Sequence, residues 1–252
     1  MEINSSDQIN EAKLIFNLPY QLTSLDTDMY ARLRLGHIVN LFVQSAMSAN
    51  ASIGFGFEDL RPQKLFWLFS RLTIEIYKPH MWQESGEVKT WLKKQEKFIY
   101  IRDFIVYDQD KQIIAKATSN WVPVDLETKR PKIVEGLHDT LFLKNKDALV
   151  NPPEKLFPVK EGETFDLIAR FFDMDLNKHV SSYRYTDWIM DTFSMDFHSK
   201  NYPKKFSINF LNESNAEETM QLVRNTIAEK SFVLEGANKT NNTFAFRAAV
   251  EF

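Results

Sequence analysis

The chain has no cysteine. Disulfides, zinc–thiolate sites and cysteine nucleophiles are therefore excluded together. Glycine is scarce, with 7 residues in 252. Neither GxGxxG nor GxxxxGK followed by Ser or Thr occurs, so no glycine-rich phosphate cradle is expected. The 5 histidines never fall in HxxxH or HExxH spacing, so no metal is expected. There is no basic excess. The net charge of −3 argues against a nucleic-acid partner, whose phosphates call for many Lys and Arg. No run approaches the roughly 18 apolar residues of a membrane span. The opening "MEINSSDQINEAKLIF" lacks both the basic start and the apolar centre of a secretory leader. It also lacks the arginine bias of a transit peptide. A cytoplasmic protein in a reducing compartment is the expectation.

What is present is a soluble-type composition, 44% hydrophobic and 26% charged, arranged in two similar runs. In the first, "FNLPYQL" (16–22) reads as a short extended segment. An Ala- and Ser-rich helix follows from about Leu35 to Ile53, stopped by Gly54 and Gly56. Four aromatic and β-branched segments come next, at 65–77, 86–95, 98–108 and 112–125. Short links between them imply antiparallel pairing. Residues 126–161 carry Pro131, Pro152, Pro153 and Pro158 among many charges and read as a connection. The expected domains are 1–150 and 151–252.

The second run repeats the order of elements: an extended segment at 164–176, a helix from about His179 to Ser199, and strands at 205–213, 218–227, 231–237 and 243–252. On a helical wheel, Arg184, Asp187, Asp191 and Ser194 form a narrow polar stripe between two apolar flanks. Such a helix is one enclosed by a sheet. The expected class is α+β, a tandem hotdog in which each half wraps a long helix in an antiparallel sheet.

Residues 173–182, "DMDLNKHVSS", place Asp173, Asp175, Asn177 and His179 at alternate positions. In an extended strand these share one face. Capping of the following helix is the competing reading for Asp175 and Asn177. For His179 the competing reading is a satisfied core histidine, and for Glu213 a solvated strand end.

At this point the chain resembles the acyl-acyl-carrier-protein thioesterases, over about residues 14–252. "FWLFSRLTIEIYKPHMWQESGEVKTW", "RDFIVYD" and "SNWVPVDLETKRPKIV" are similar to motifs of that family's first half. "DMDLNKHVSSYRYTDWIMD" resembles its D-x-N-x-H-V-N-N-x-x-Y-x-x-W signature. "INFLNES" resembles a strand that ends in Glu-Cys. The resemblance implies catalytic roles for Asp175, Asn177, His179 and Glu213, with no cofactor. Ser214 stands where many members carry Cys, so a thiol mechanism is closed to this chain. Ser181-Ser182 replaces a paired Asn. The resemblance also implies that the first half holds the acyl chain, with Ile38, Leu41, Phe42 and Trp67 as candidate lining. Core packing is the competing reading for each of the four.

The implied function is release of a free fatty acid from acyl-carrier protein by water attack, ending chain elongation in fatty acid biosynthesis. An acyl-CoA thioesterase of the same fold, or a non-catalytic acyl-binding hotdog, are the alternatives. An acidic carrier protein calls for a basic patch. Lys129, Arg130 and Lys132 form one candidate cluster, and Lys93, Lys94 and Lys97 another. Asp26 and Asp28 precede the first helix without an Asn-x-His set, so one active site, in the second half, is expected. A homodimer is left open.

Overall fold

The computed structural model describes residues 12–252; most of the opening stretch read for a leader lies outside them. Ten strands form one sheet in the order β1-β3-β4-β5-β2-β7-β10-β9-β8-β6. The first half supplies β1 (Phe16–Gln21), β2 (Leu65–Ile76), β3 (Ser85–Glu96), β4 (Ile99–Asp108) and β5 (Ile113–Asp125). The second supplies β6 (Glu163–Ile168), β7 (Lys205–Phe210), β8 (Thr219–Ala228), β9 (Ser231–Asn238) and β10 (Thr243–Glu251). Every pairing between them is antiparallel.

The halves join where β2 pairs with β7, Leu72 opposite Ile208 and Ile74 opposite Phe206. All four are fully buried. Each such side chain is worth about 1.5–3 kcal/mol of transfer free energy. Between them, the hydroxyls of Thr73 and Ser207 meet at 2.9 Å. The seam is thus an ordinary core strand pair rather than a docked surface.

Helix α1 (Leu35–Ser52) lies against the first half of the sheet. It ends where expected: Gly54 takes a left-handed φ of 77°, which glycine reaches without a Cβ penalty. A short turn of helix, α2 (Phe57–Leu60), follows. The helix expected from His179 to Ser199 is two helices, α3 (Ser182–Asp191) and α4 (Met195–Lys200). Hydrogen bonds to the backbone at 189–197 make the break. The Thr192 hydroxyl donates back to the Ile189 carbonyl, Arg224 from β8 binds the Thr192 carbonyl, and Ser194 caps α4 by accepting from the Phe197 N–H. Side chains that hydrogen-bond backbone compete with a continuing helix in this way.

Helices α1 and α3 lie close together because Gly36 has no side chain. A Cβ there would stand 2.2 Å from Asp187 Oδ1. Asp187 in turn pairs with Arg184 at 2.9 Å and Arg34 at 3.7 Å, so the polar stripe of α3 is spent between the halves. Burial raises the Asp187 carboxyl above its usual range, against the pull of the two arginines. Among the described residues no helix is long and apolar enough to cross a membrane.

Candidate active site

The alternating polar residues are not a strand. Phe171–Asp173 is a 3₁₀ turn, and Met174 and Val180 form an isolated bridge that closes a tight loop over 175–179. Asp175 organises that loop. Its N–H donates to the His179 carbonyl at 2.8 Å, and its Oδ1 accepts from the N–H groups of Asn177 at 2.7 Å and His179 at 3.3 Å. Lys178 sits at a left-handed φ of 66°. The polar period of two is therefore an Asx-type turn, in which a carboxylate serves backbone two and four residues on. Asp173 faces elsewhere. It is buried, caps Arg170 and holds Arg184 at 2.7 Å.

The loop carries His179 toward Glu213. The His179 Nε2–Glu213 Oε2 distance is 3.3 Å. Glu213 lies three residues past the end of β7, not at a strand end. Its position is fixed from both sides: the Asn212 side chain donates to the Phe244 carbonyl, and the Ser214 carbonyl accepts from Val180 N–H at 2.8 Å. His179 and Glu213 keep 28% and 36% of their side chains accessible. Both are accessible from the surface. The Asn177 side chain is exposed and takes no hydrogen-bond partner among the described residues. Ser214 is different. It is fully buried, and its hydroxyl lies 3.5 Å from the Asn238 amide, away from the exposed pair.

A residue of the first half completes the group. Lys129 Nζ is 3.8 Å from the same Glu213 oxygen that meets His179, and stands over the Phe66 ring at 5.0 Å. The turn beneath it is built on Asp125, which accepts from Glu127, Thr128 and the Lys132 ammonium. Lys132 is thus a brace, and Arg130 is exposed beside it. The alternative basic cluster is not a patch. Lys93 is buried, paired with Asp147 at 2.5 Å and Asp103 at 3.5 Å, while Lys94 pairs with Glu96.

Ile38, Leu41 and Phe42 are buried in the main core. Trp67 is half-buried, its indole N–H on the Phe55 carbonyl. None of the four lines the cavity between residues 28–35 and α3–α4 or the cavity at the end of α1.

The first half holds a second copy of the loop that sequence reasoning did not foresee. Asp28 N–H donates to the Arg32 carbonyl, and Asp28 Oδ1 accepts from Tyr30 and Arg32 N–H. Ala31 takes the left-handed φ, and Thr27 and Leu33 form the bridge. Leu33 N–H then donates to the His80 carbonyl, as Val180 does to Ser214. The chemistry has been replaced: Tyr30 stands for Asn177, Arg32 for His179 and Pro79 for Glu213. Instead of facing a base, Arg32 reaches the second half and donates to the carbonyls of His198 and Asn201. Tyr30 likewise donates to Met195. The break between α3 and α4 lets α4 cover this loop. Helix α1 runs on unbroken, and the 175–179 loop stays open. A cavity of about 240 Å³ remains between the first loop, α3 and α4, away from the His179–Glu213 pair.

Family models for the N-terminal and C-terminal domains of acyl-ACP thioesterases match residues 13–138 and 157–250. The chain belongs to the acyl-ACP thioesterase family. Its relatives include oleoyl-acyl carrier protein thioesterase 1 of Arabidopsis thaliana, 24% identical over 76% of this chain. Another is the dodecanoyl-[acyl-carrier-protein] hydrolase of Cinnamomum camphora, 24% identical over 85%. The chain spans 58% and 60% of the length of these two relatives. Among solved structures, an acyl-ACP thioesterase from Bacteroides thetaiotaomicron superposes with a TM-score of 0.90 at 24% identity, covering 96% of this chain and 99% of that one. A 12:0-ACP thioesterase from Umbellularia californica gives 0.80 at 20%, covering 94% and 96%. These likenesses establish the tandem hotdog fold.

Proposed function

We propose that the chain hydrolyses the thioester of an acyl chain carried on acyl-carrier protein and releases the free fatty acid. The observation that carries this reading is the His179 Nε2–Glu213 Oε2 contact of 3.3 Å at an accessible surface. Glu213, oriented by His179 and Lys129, takes a proton from a water as its oxygen attacks the thioester carbonyl carbon. The C–S bond then breaks, and the proton passes to the departing sulfur, an undemanding leaving group because thiols ionise near pH 8.5 or so. The Asn177 amide, unbonded and exposed, donates to the carbonyl oxygen as negative charge develops. Asp175 acts one step back, holding the loop that presents both side chains.

In this reading the halves are 1–150 and 151–252, the second carrying the chemistry. The first takes the acyl chain against Ile38, Leu41, Phe42 and Trp67, which have to part to admit it. Lys129 and Arg130, on the turn braced by Lys132, meet the acidic carrier. The exposed Phe171, Phe172 and Leu176 offer it an apolar rim beside the loop. The reaction ends chain elongation in fatty acid biosynthesis, in the cytoplasm.

The test is product analysis with purified protein on one acyl chain offered as the carrier-protein thioester and as the CoA thioester. Faster release of free acid from the carrier-protein form is expected. Equal or faster turnover of the CoA form would reassign the substrate. Binding without release would make the protein an acyl carrier.

A further inference from the structure

Arg102 on β4 is 2% exposed and has no acid beside it among the described residues. Its Nη2 donates to Asn50 Oδ1 at 2.5 Å and its Nη1 to Thr90 Oγ1 at 3.2 Å. Both acceptors are neutral, and a guanidinium has five donors to place. Burial draws its pKa down to about 9, so it is still a cation at neutral pH. The neighbouring Asp103 gives no relief. It faces the other side of the sheet, where it accepts from Ala148 N–H and meets Lys93. A buried charge without a counter-charge is costly, and proteins pair such groups.

The missing partner has a place. A cavity of about 70 Å³ opens against Arg102, between the end of α1 and β3. Lys13 and Ser52 add a second cation and a hydroxyl at its wall, and Ala49, Ile53 and Leu92 make it apolar beyond. Among the described residues no Asp or Glu lines it. A water needs roughly 10–15 Å³ measured this way, so the space takes a carboxylate with a few carbons. The planar guanidinium fork matches a carboxylate.

We propose that this cavity is a binding site for a short aliphatic carboxylate, its oxygens on Arg102 and Lys13 and its tail on Ala49, Ile53 and Leu92. The site is separate from the His179–Glu213 group, and the proposal does not depend on the hydrolytic reading.

The test uses the full-length chain and three probes at constant ionic strength: butyrate, neutral butyramide, and chloride. Butyrate is expected to bind with one equivalent by calorimetry and to raise the melting temperature; butyramide and chloride are not. Arg102→Met is expected to weaken butyrate binding at least tenfold. Because that change is in the core, Ala49→Leu provides a second arm, filling the cavity while Arg102 stays; it too should weaken binding at least tenfold. Glu213→Gln should leave it unchanged. Equal butyrate affinity in wild type and Ala49→Leu would overturn the proposal. So would an equal response to butyramide or chloride, or loss of binding in Glu213→Gln.

Discussion

Asp28 and Asp175 hold the same loop in the two halves, each accepting through Oδ1 from the backbone N–H groups two and four residues on. The frame is shared; what it presents is not. In one half it aims an imidazole at a carboxylate, and in the other an arginine at the carbonyls of His198 and Asn201. One scaffold, used twice, leaves an imidazole–carboxylate pair open in one half and fastens the two halves together in the other.

That division predicts what Arg32 is for. It ties the loop to α4 through His198 and Asn201 and pairs with Asp28 at 2.8 Å. Hydrogen bonds from a charged group are worth about 1.5–3 kcal/mol each, reduced here by partial exposure. Arg32→Ala should destabilise the protein by about 2 kcal/mol in chemical denaturation. Turnover per folded molecule should stay within a factor of two. A larger drop in kcat than in stability would give the first loop a part in the reaction.

Lys129 should matter to rate more than to folding. It is largely exposed, and a surface pair contributes at most about 1 kcal/mol, which is roughly fivefold. Lys129→Ala should lower kcat/KM on acyl-carrier protein by up to that factor, and Lys129→Glu by more. The difference from wild type should shrink as salt rises, since charges are screened within about 10 Å at 0.1 M. A salt-independent loss would point to a disturbed turn instead.

His80 gives the fold a pH dependence. The imidazole is fully buried, and burial holds its pKa below the ordinary histidine value, outweighing the upward pull of Glu84 at 2.8 Å and Asp108; Lys78 pushes the same way as burial. The unfolded chain takes up this proton near pH 6.5 or so, while the folded chain does not. Stability is therefore lost as pH falls below that value. His37, also lowered by burial, adds to the trend. His80→Phe should flatten the fall in melting temperature between pH 7 and 5. An unchanged slope would place the acid sensitivity elsewhere.

Much of this was legible in sequence. The strand segments and α1 announce themselves through β-branched and aromatic residues and a glycine stop. The break after Asp191 did not, because it depends on Arg224 from β8 and on the fit of α4 over Arg32. The 173–179 stretch was misread as extended. An Asx turn places polar groups at i, i+2 and i+4, the same spacing as one face of a strand. The signal that separates the two is a residue able to sit at positive φ, here Lys178, which is weak in sequence. Lys129 and Glu213 meet only because β5, β2 and β7 are neighbours in the sheet, and no local pattern reports that. Glu213 stands beyond the strand rather than at its end because β7 closes at Phe210.

The central claim is water attack assisted by the Glu213 carboxylate and His179, with no hydroxyl nucleophile. The most direct measurement is kcat on an acyl-carrier-protein thioester for Glu213→Gln, His179→Ala and Ser214→Ala, each verified as folded. Glu213→Gln keeps shape and removes basicity. It and His179→Ala should each lower kcat by roughly 10²–10⁴, the range for a positioned acid or base. Ser214→Ala, which changes a buried hydroxyl, should stay within about tenfold of wild type, because a nucleophile would be indispensable. A fully active Glu213→Gln, or a folded but inactive Ser214→Ala, would contradict the account.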